Sequence, residues 1–204
     1  MHVVCSPTCA IALLDKKKAI EQKKQLGIEK RETKVRMASL AVIAYKWSNK
    51  LQTEVQYIAR LIDSKLPCIA SGELGQMHGG HVWSKGGSYD CRFNLHNIHR
   101  QNAKSNKWKN DDHRMWMGIE REYGKGYHDF VVNLKGKPTQ KYTNTEYMEF
   151  YDKAVEVSAI LKRNPNQKSV AERIRLRNWA NEKIGLYDLE KCIFKIKQNN
   201  NGTK

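Results

Sequence analysis

The sequence predicts an α+β protein: a small core of two short strands and a helix, flanked by a long basic N-terminal helix and by C-terminal helices. Three observations carry this reading. From about Ile11 to Lys50 the chain is rich in Lys, Gln, Glu and Ala, with no Pro and a single Gly, a composition that favours helix. From Cys68 to Asn97 glycines 72, 75, 79, 80, 86 and 87 punctuate short segments such as His81–Trp83 and Cys91–Phe93, which fits two short strands joined by a glycine-rich loop. Beyond a Gly- and Pro-containing break at Lys135–Thr139, two capping signals open further helical stretches.

In chain order, Leu51, Val55, Ile58, Leu61 and Ile62 recur at three- and four-residue steps up to Lys65, the spacing of a helix with one buried face. Pro67 ends it. After Asn97 a helical pattern runs to about Lys109, and a further helix is expected over His113–Tyr123. Thr143-Asn-Thr-Glu146 reads as a capping box opening a helix to about Arg163. Asn164-Pro-Asn166 is a turn, and Ser169-Val-Ala-Glu172 opens a last helix to about Ile184, made basic by Arg173, Arg175, Arg177 and Lys183. The tail Gln198–Lys204 is expected to be disordered. The organisation is therefore a helical arm over 1–50, a core with flanking helices over 51–135 and a helical region over 136–204.

At 204 residues the chain fits one compact domain, or a small core with helical extensions. Lys and Arg number 37 against 21 Asp and Glu, a formal charge of +16, which attracts polyanions strongly. Residues 1–50 hold 11 basic and 4 acidic residues, a net of +7; a solvated helix face and a DNA-contacting arm account for it equally. The apolar run Ala10–Leu14 is far short of the roughly 20 residues that span a bilayer, so no membrane partner is expected. Five cysteines, odd in number and unevenly spread, suggest reduced thiols rather than a disulfide scaffold. Cys5-x-x-x-Cys9 has half the ligands of a zinc site, with no second pair nearby.

Hydrolysis of a phosphodiester at neutral pH needs a base to activate water and a divalent cation to stabilise charge on the phosphate. His78-Gly-Gly-His81 and the run Arg92 to Asn106 supply suitable groups: four of the seven histidines fall in these 29 residues. The segment resembles a ββα-metal (HNH-type) nuclease motif, and more narrowly the chain resembles the phage NinG/Rap recombination nuclease family. The residues that carry the resemblance are Cys5-Ser-Pro-Thr-Cys9, Leu66-Pro-Cys-Ile69, Gly80-His81 and Arg92-Phe-Asn-Leu-His-Asn-Ile-His-Arg-Gln101, in that order, over roughly residues 1–163. The chain beyond them reads as an added basic helix.

The resemblance implies an HNH-like core in which His81 is the general base, a role suited to an imidazole of pKa near ~6.5. Asn97 would tie the loop bearing His81 to the start of the helix, and Asn106 would be a helix-borne ligand for one divalent cation, Mg or Mn. If His99, Asn102 and Asn106 lie on one helix, their spacing places all three on one face, where they could share that cation.

The chain also departs from the family. His78 stands where Asp is general, and imidazole prefers Mn, Ni or Zn over Mg, so His78 is either a ligand with altered preference or the sign of a weakened site. The family's two Cys-x-x-Cys knuckles read Cys68-x-x-Ser71 and Asn102-x-x-Ser105 here, and an earlier cysteine pair is missing. A structural zinc held by four thiolates cannot form, which leaves Cys5 and Cys9 as a vestigial pair. Packing by Trp83, Phe93, Ile98 and Trp108 is expected to substitute. Lys85, Arg92, Arg100, Lys104, Lys107 and Lys109 would line the approach of a DNA backbone, Arg92 either at the scissile phosphate or in a surface or salt-bridge role.

By resemblance, then, the expected activity is metal-dependent, structure-selective endonuclease cleavage of branched DNA such as D-loops or Holliday junctions, in the cytoplasm of a bacterial host. A homodimer would suit symmetric junctions. Two alternatives stand beside it: a non-catalytic DNA-binding protein on a degenerate HNH fold, and an HNH nicking or homing endonuclease.

Overall fold

The computed structural model describes residues 6–84, 89–107, 112–136 and 142–196. Lys85, Trp108, Lys109, Cys5 and the tail from Gln198 lie outside these residues, as do the side chains of Asn106 and Lys107. The chain divides into two compact units, 1–45 and 46–204. Among the described residues no helix is long and apolar enough to cross a membrane.

Helix α1 spans Pro7–Ile62. Ser6 caps it, its Oγ accepting from the Cys9 N–H at 3.2 Å, with proline in the first helical position, where the missing N–H costs nothing. In the first unit its apolar Ile11, Ile20, Val35 and Val42 are exposed.

In the second unit the helix acquires its buried face: Leu51, Val55, Ile58 and Ile62 are fully buried, while Leu61 only packs against the core edge. The helix ends at Ile62, ahead of Pro67, and Lys65 turns the chain with φ 63°. Strand β1 (Met77–His81) then pairs antiparallel with β2 (Ile98–Asn102), His81 opposite Ile98 and Met77 opposite Asn102. Both strands differ from expectation. β1 ends at His81 instead of running on to Trp83, and Ile98–Asn102, expected to be helical, is the second strand. The reason lies between them. Cys91–Phe93 sits in a tight turn because the Asn97 side chain supplies the hydrogen bonds that a ladder would have made at Trp83 and Cys91.

Helix α2 is short, Ala103–Lys107. Helix α3 (Asp112–Tyr123) stops at Gly124, whose φ of 84° admits glycine readily, and a helix not expected from sequence, α4 (Lys125–Val132), follows. Both capping signals behave as the sequence implies. Thr143 and Glu146 form a reciprocal box before α5 (Asn144–Lys162), and Ser169 accepts from the Glu172 N–H before α6 (Val170–Ile184). A last turn, α7, covers Leu189–Cys192.

Two apolar clusters hold the second unit. The first joins α1, Phe93, Leu95 and Ile98 to Phe150, Ala154, Val157 and Leu161 of α5 and to Ala180 and Ile184 of α6. The helices after residue 136 thus share the core of the strands. The second gathers Cys68, Ile69 and Val82 with Met115, Ile119, Tyr127 and Val131.

Close backbone approach fixes two contacts. A Cβ on Gly79 would lie 2.8 Å from Gln56 on α1, whose side-chain amide donates to the Gly79 carbonyl at 2.9 Å. A Cβ on Gly118 would lie 2.0 Å from the Ile69 carbonyl oxygen. Gly118→Ala should therefore lower stability by about 1–3 kcal/mol through overpacking, although alanine favours helix by about 1 kcal/mol. Urea unfolding that showed Gly118→Ala to be stabilising would refute the contact.

Candidate functional site

His81 sits at the end of β1, half-buried. Its Nε2 lies 3.0 Å from the Arg92 carbonyl oxygen and 3.1 Å from the side-chain amide nitrogen of Gln52 on α1. The Gln52 amide is held from behind. Arg92 Nε donates to Gln52 Oε1 at 2.7 Å, and Arg92 Nη2 to Asn49 Oδ1 at 3.3 Å. Arg92 is thus buried and turned into the protein. The phosphate-contacting role expected for it gives way to a structural one.

Asn97 closes the loop on which this arrangement depends. Fully buried, it accepts from the Trp83 N–H at 2.7 Å and donates to the carbonyls of Trp83 and Cys91 at 3.2 and 3.1 Å. The residues two past His81 and one before Arg92 are thereby tied to one side chain. A buried amide satisfied at three positions fixes a loop that glycines would otherwise leave loose.

Other residues expected at the site belong to the interior. His99 is fully buried on β2: its Nδ1 accepts from Arg177 at 3.1 Å and its Nε2–H donates to the His96 carbonyl at 3.0 Å. With both nitrogens engaged it does not fit a cation. Burial and the adjacent Arg177 charge hold its pKa well below the usual imidazole value. Asn102, also on β2, accepts from the Ser105 N–H at 2.7 Å and donates to Ser71 Oγ and Glu73 Oε2 at 3.2 and 3.3 Å. The shared helix face anticipated for His99, Asn102 and Asn106 does not exist, because two of the three lie on a strand. Of the four ligands expected from sequence, His99 and Asn102 do not fit; His78, half-buried on β1, and Asn106, whose side chain is outside the described residues, are left. Among the described residues no three His, Cys, Asp or Glu side chains cluster so as to hold a metal.

Arg100 is likewise buried. It forms a two-point ion pair with Glu122, Nη1 to Oε1 at 3.1 Å and Nη2 to Oε2 at 2.7 Å, and its backbone N–H donates to Asp63 at 3.1 Å. Asp63, at the end of α1, also receives Arg177 Nη2 at 2.9 and 2.8 Å and lies 3.7 Å from Arg173 Nη1. Burial alone would raise the Asp63 carboxyl; the charges of Arg177, Arg100 and Arg173 outweigh it and hold it far below the carboxylate range. Of the four basic residues expected on the added helix, Arg173 and Arg177 are buried and their charges are spent inside. Of the residues expected to approach DNA, Lys104 is exposed on α2.

Hydrogen bonds join the residues that stand where the cysteine knuckles are altered. Ser71 N–H reaches Cys68 Sγ at 3.5 Å, and Asn102 links Ser71 to Ser105. Burial tends to raise the Cys68 thiol, but these hydrogen bonds, Ser71 foremost, lower it overall. Trp83, edge-on to Trp116, packs against the cluster that holds Cys68, whereas Phe93 and Ile98 belong to the main core, and Trp108 lies outside the described residues.

The sequence reading missed Gln52. A signal existed: Asn49, Gln52 and Gln56 recur at helical spacing beside the apolar stripe of α1, a polar seam on a face that should bury.

This chain also matches a family model, that of the bacteriophage lambda NinG protein, over residues 1–164. It belongs to that family. No curated protein and no solved structure gives a match. The span matched to the family ends before α6, yet α6 supplies Arg177 to the buried carboxylate of Asp63. The C-terminal helices are therefore built into this member's core and are not an appendage.

Proposed function

We propose that the protein is an endodeoxyribonuclease that hydrolyses phosphodiester bonds in branched recombination intermediates, D-loops or Holliday junctions, with β1, β2 and α2 as its ββα core. The observation that carries the reading is His81 at a strand end, its ring held from within by Gln52 and the Arg92 carbonyl. The loop around it is clamped by Asn97. A general base needs such fixed orientation before it needs any particular pKa. Family membership supports a role in phage recombination, and the charge of +16 supports DNA as partner. A divalent cation is part of the proposal, with His78 and Asn106 the two groups of this chain to test as ligands. A non-catalytic DNA-binding role is the second reading, favoured by the number of expected site residues that the interior consumes.

Purified protein should cut branched DNA in preference to linear duplex when Mg or Mn is added, and His81→Ala should reduce cleavage by about 100-fold or more. Cleavage unchanged in His81→Ala would remove His81 from the site. Salt-dependent DNA binding with no cleavage under either metal would establish the second reading.

A further inference from the structure

Beside the loop that Asn97 clamps lies a row of aromatic rings that the proposed hydrolysis does not use. Trp83 stands two residues past His81, at most about 7 Å of chain away. It is pinned at three points. Its backbone N–H donates to Asn97 Oδ1 at 2.7 Å, its carbonyl accepts from Asn97 Nδ2 at 3.2 Å, and its indole N–H donates to the Val131 carbonyl at 2.9 Å. The Trp116 ring of α3 meets it at 4.9 Å between centroids and 71°, and the His128 ring of α4 follows at 5.3 Å and 71°. All three residues are half-buried, the tryptophans at the edge of the second apolar cluster. Over the Trp83 ring, 4.6 Å from its centroid, sits the ammonium of Lys135, an exposed residue. With its N–H edge turned into the protein and an exposed lysine on its face, Trp83 presents that face to solvent.

From this we propose that Trp83, backed by Trp116, is a stacking platform for one unpaired nucleobase, with Lys135 receiving the phosphate attached to it. The proposal rests on the reading of DNA as the partner, and it names the feature of branched DNA that the protein recognises. An indole face stacks on any base, so the preference is for the state of the strand and not for its sequence. In intact duplex both faces of a base are taken by its neighbours; at a branch point or in the displaced strand of a D-loop a base can leave the stack. Lys135 covers the ring without blocking it. A cation over an exposed aromatic face is worth about 2- to 5-fold in equilibrium, whereas a stacked base is worth about 5- to 150-fold in affinity. The base therefore takes the ring, and the displaced ammonium, on its flexible stem, turns to the phosphate. The charges around the row agree: Lys135 and Lys125 stand against the one carboxylate of Asp129, which pairs with Lys125 and His128. Because Asn97 ties Trp83 to the loop after His81, a base stacked there keeps its strand beside His81.

Fluorescence anisotropy of labelled DNA with the full chain, in EDTA so that nothing is cut, tests this. The probes are an oligothymidylate of about 20 nucleotides and a duplex of the same length. Trp83→Leu should weaken binding of the oligothymidylate by about 5- to 150-fold and leave duplex binding within about 2-fold. Trp83→Phe, which keeps an aromatic face, should recover most of the loss. Lys135→Ala, a change at an exposed position, carries the test if Trp83→Leu does not fold: it should reduce the slope of log affinity against log salt on the oligothymidylate by about 0.7, one phosphate contact. A loss in Trp83→Leu that is equal on single strand and duplex would overturn the proposal, since it would make the row part of an ordinary basic surface. Affinities and slopes that the variants leave unchanged would overturn it as well, while wild-type binding of the duplex would still support DNA as the partner. Cleavage enters none of these measurements. If the wild type cuts no DNA with Mg or Mn but binds single strand in this selective way, the nuclease reading fails and the platform stands.

Discussion

Replacing Asp63 with asparagine should cost the second unit about 3–5 kcal/mol, the usual penalty for removing one partner of a buried ion pair. Asp63 faces Arg177, Arg100 and Arg173, and Glu122 is the second carboxylate of the group. Arg177 and Asp63 are both fully inaccessible, so solvent cannot take over when the carboxylate goes. The substituted amide would still present an oxygen to Arg177, but three guanidinium groups would then share one carboxylate. Arg177→Met alone should be similarly damaging, because it strands Asp63 and removes the donor to His99 and the Leu95 carbonyl. The double variant should lose much less than the sum, since it leaves no unpaired charge between those two positions. Urea denaturation of the four proteins gives the coupling directly. A loss below about 1 kcal/mol for Asp63→Asn, the value of a surface pair, would mean that the cluster is hydrated.

That cluster also explains what could and could not be read from the sequence. Local signals were legible: the caps at Thr143 and Ser169 and the stripe Leu51, Val55, Ile58 and Ile62 act through neighbours three or four residues away, so a short window contains the whole cause. Ile98–Asn102 was not legible as a strand. Its residues Ile, His, Arg, Gln and Asn show neither alternation nor β-branched enrichment, and all five are buried because their polar groups meet partners remote in the chain. Arg100 is buried by Glu122 and Asp63, and Arg177 by a carboxylate 114 residues away. A basic residue beside a nuclease-like motif reads naturally as a phosphate contact, and only the tertiary pairing reveals it as interior. Family-derived spacing singled out His81 and Asn97 but not the groups that hold them. Gln52 lies 29 residues before His81, and its place beside the apolar stripe marks it as buried without saying which residue it meets.

Lowering the pH from 7 to 5 should destabilise the second unit by about 2 kcal/mol through His96, with His99 acting in the same direction, two histidines that face no substrate. His96 accepts at Nδ1 from the Tyr127 hydroxyl, 2.9 Å away, and its Nε2 gives its hydrogen to Asn178 Oδ1 at 2.9 Å. Burial, reinforced by the Arg177 charge, pushes its pKa down to about 3. His99 is held down for the same reasons, its Nδ1 lone pair already committed to Arg177. Both rings stay neutral in the folded chain. In the unfolded chain both take up a proton below about pH 6.5, so the unfolded state binds more protons and stability falls with pH. The stabilisation is complete above the unfolded value and is lost as pH drops toward the folded one; between pH 7 and 5 His96 accounts for about 1.9 kcal/mol, and His99 adds to it. Asp63 adds nothing in this window, because its carboxyl is ionised in both states until the pH falls below about 4. Unfolding free energies at pH 7, 6 and 5 should therefore decline with a slope that reaches at least about one proton. A slope near zero, or ring signals of His96 and His99 that titrate near 6.5 in the folded protein, would mean that these rings reach solvent and that the core around Arg177 is not closed.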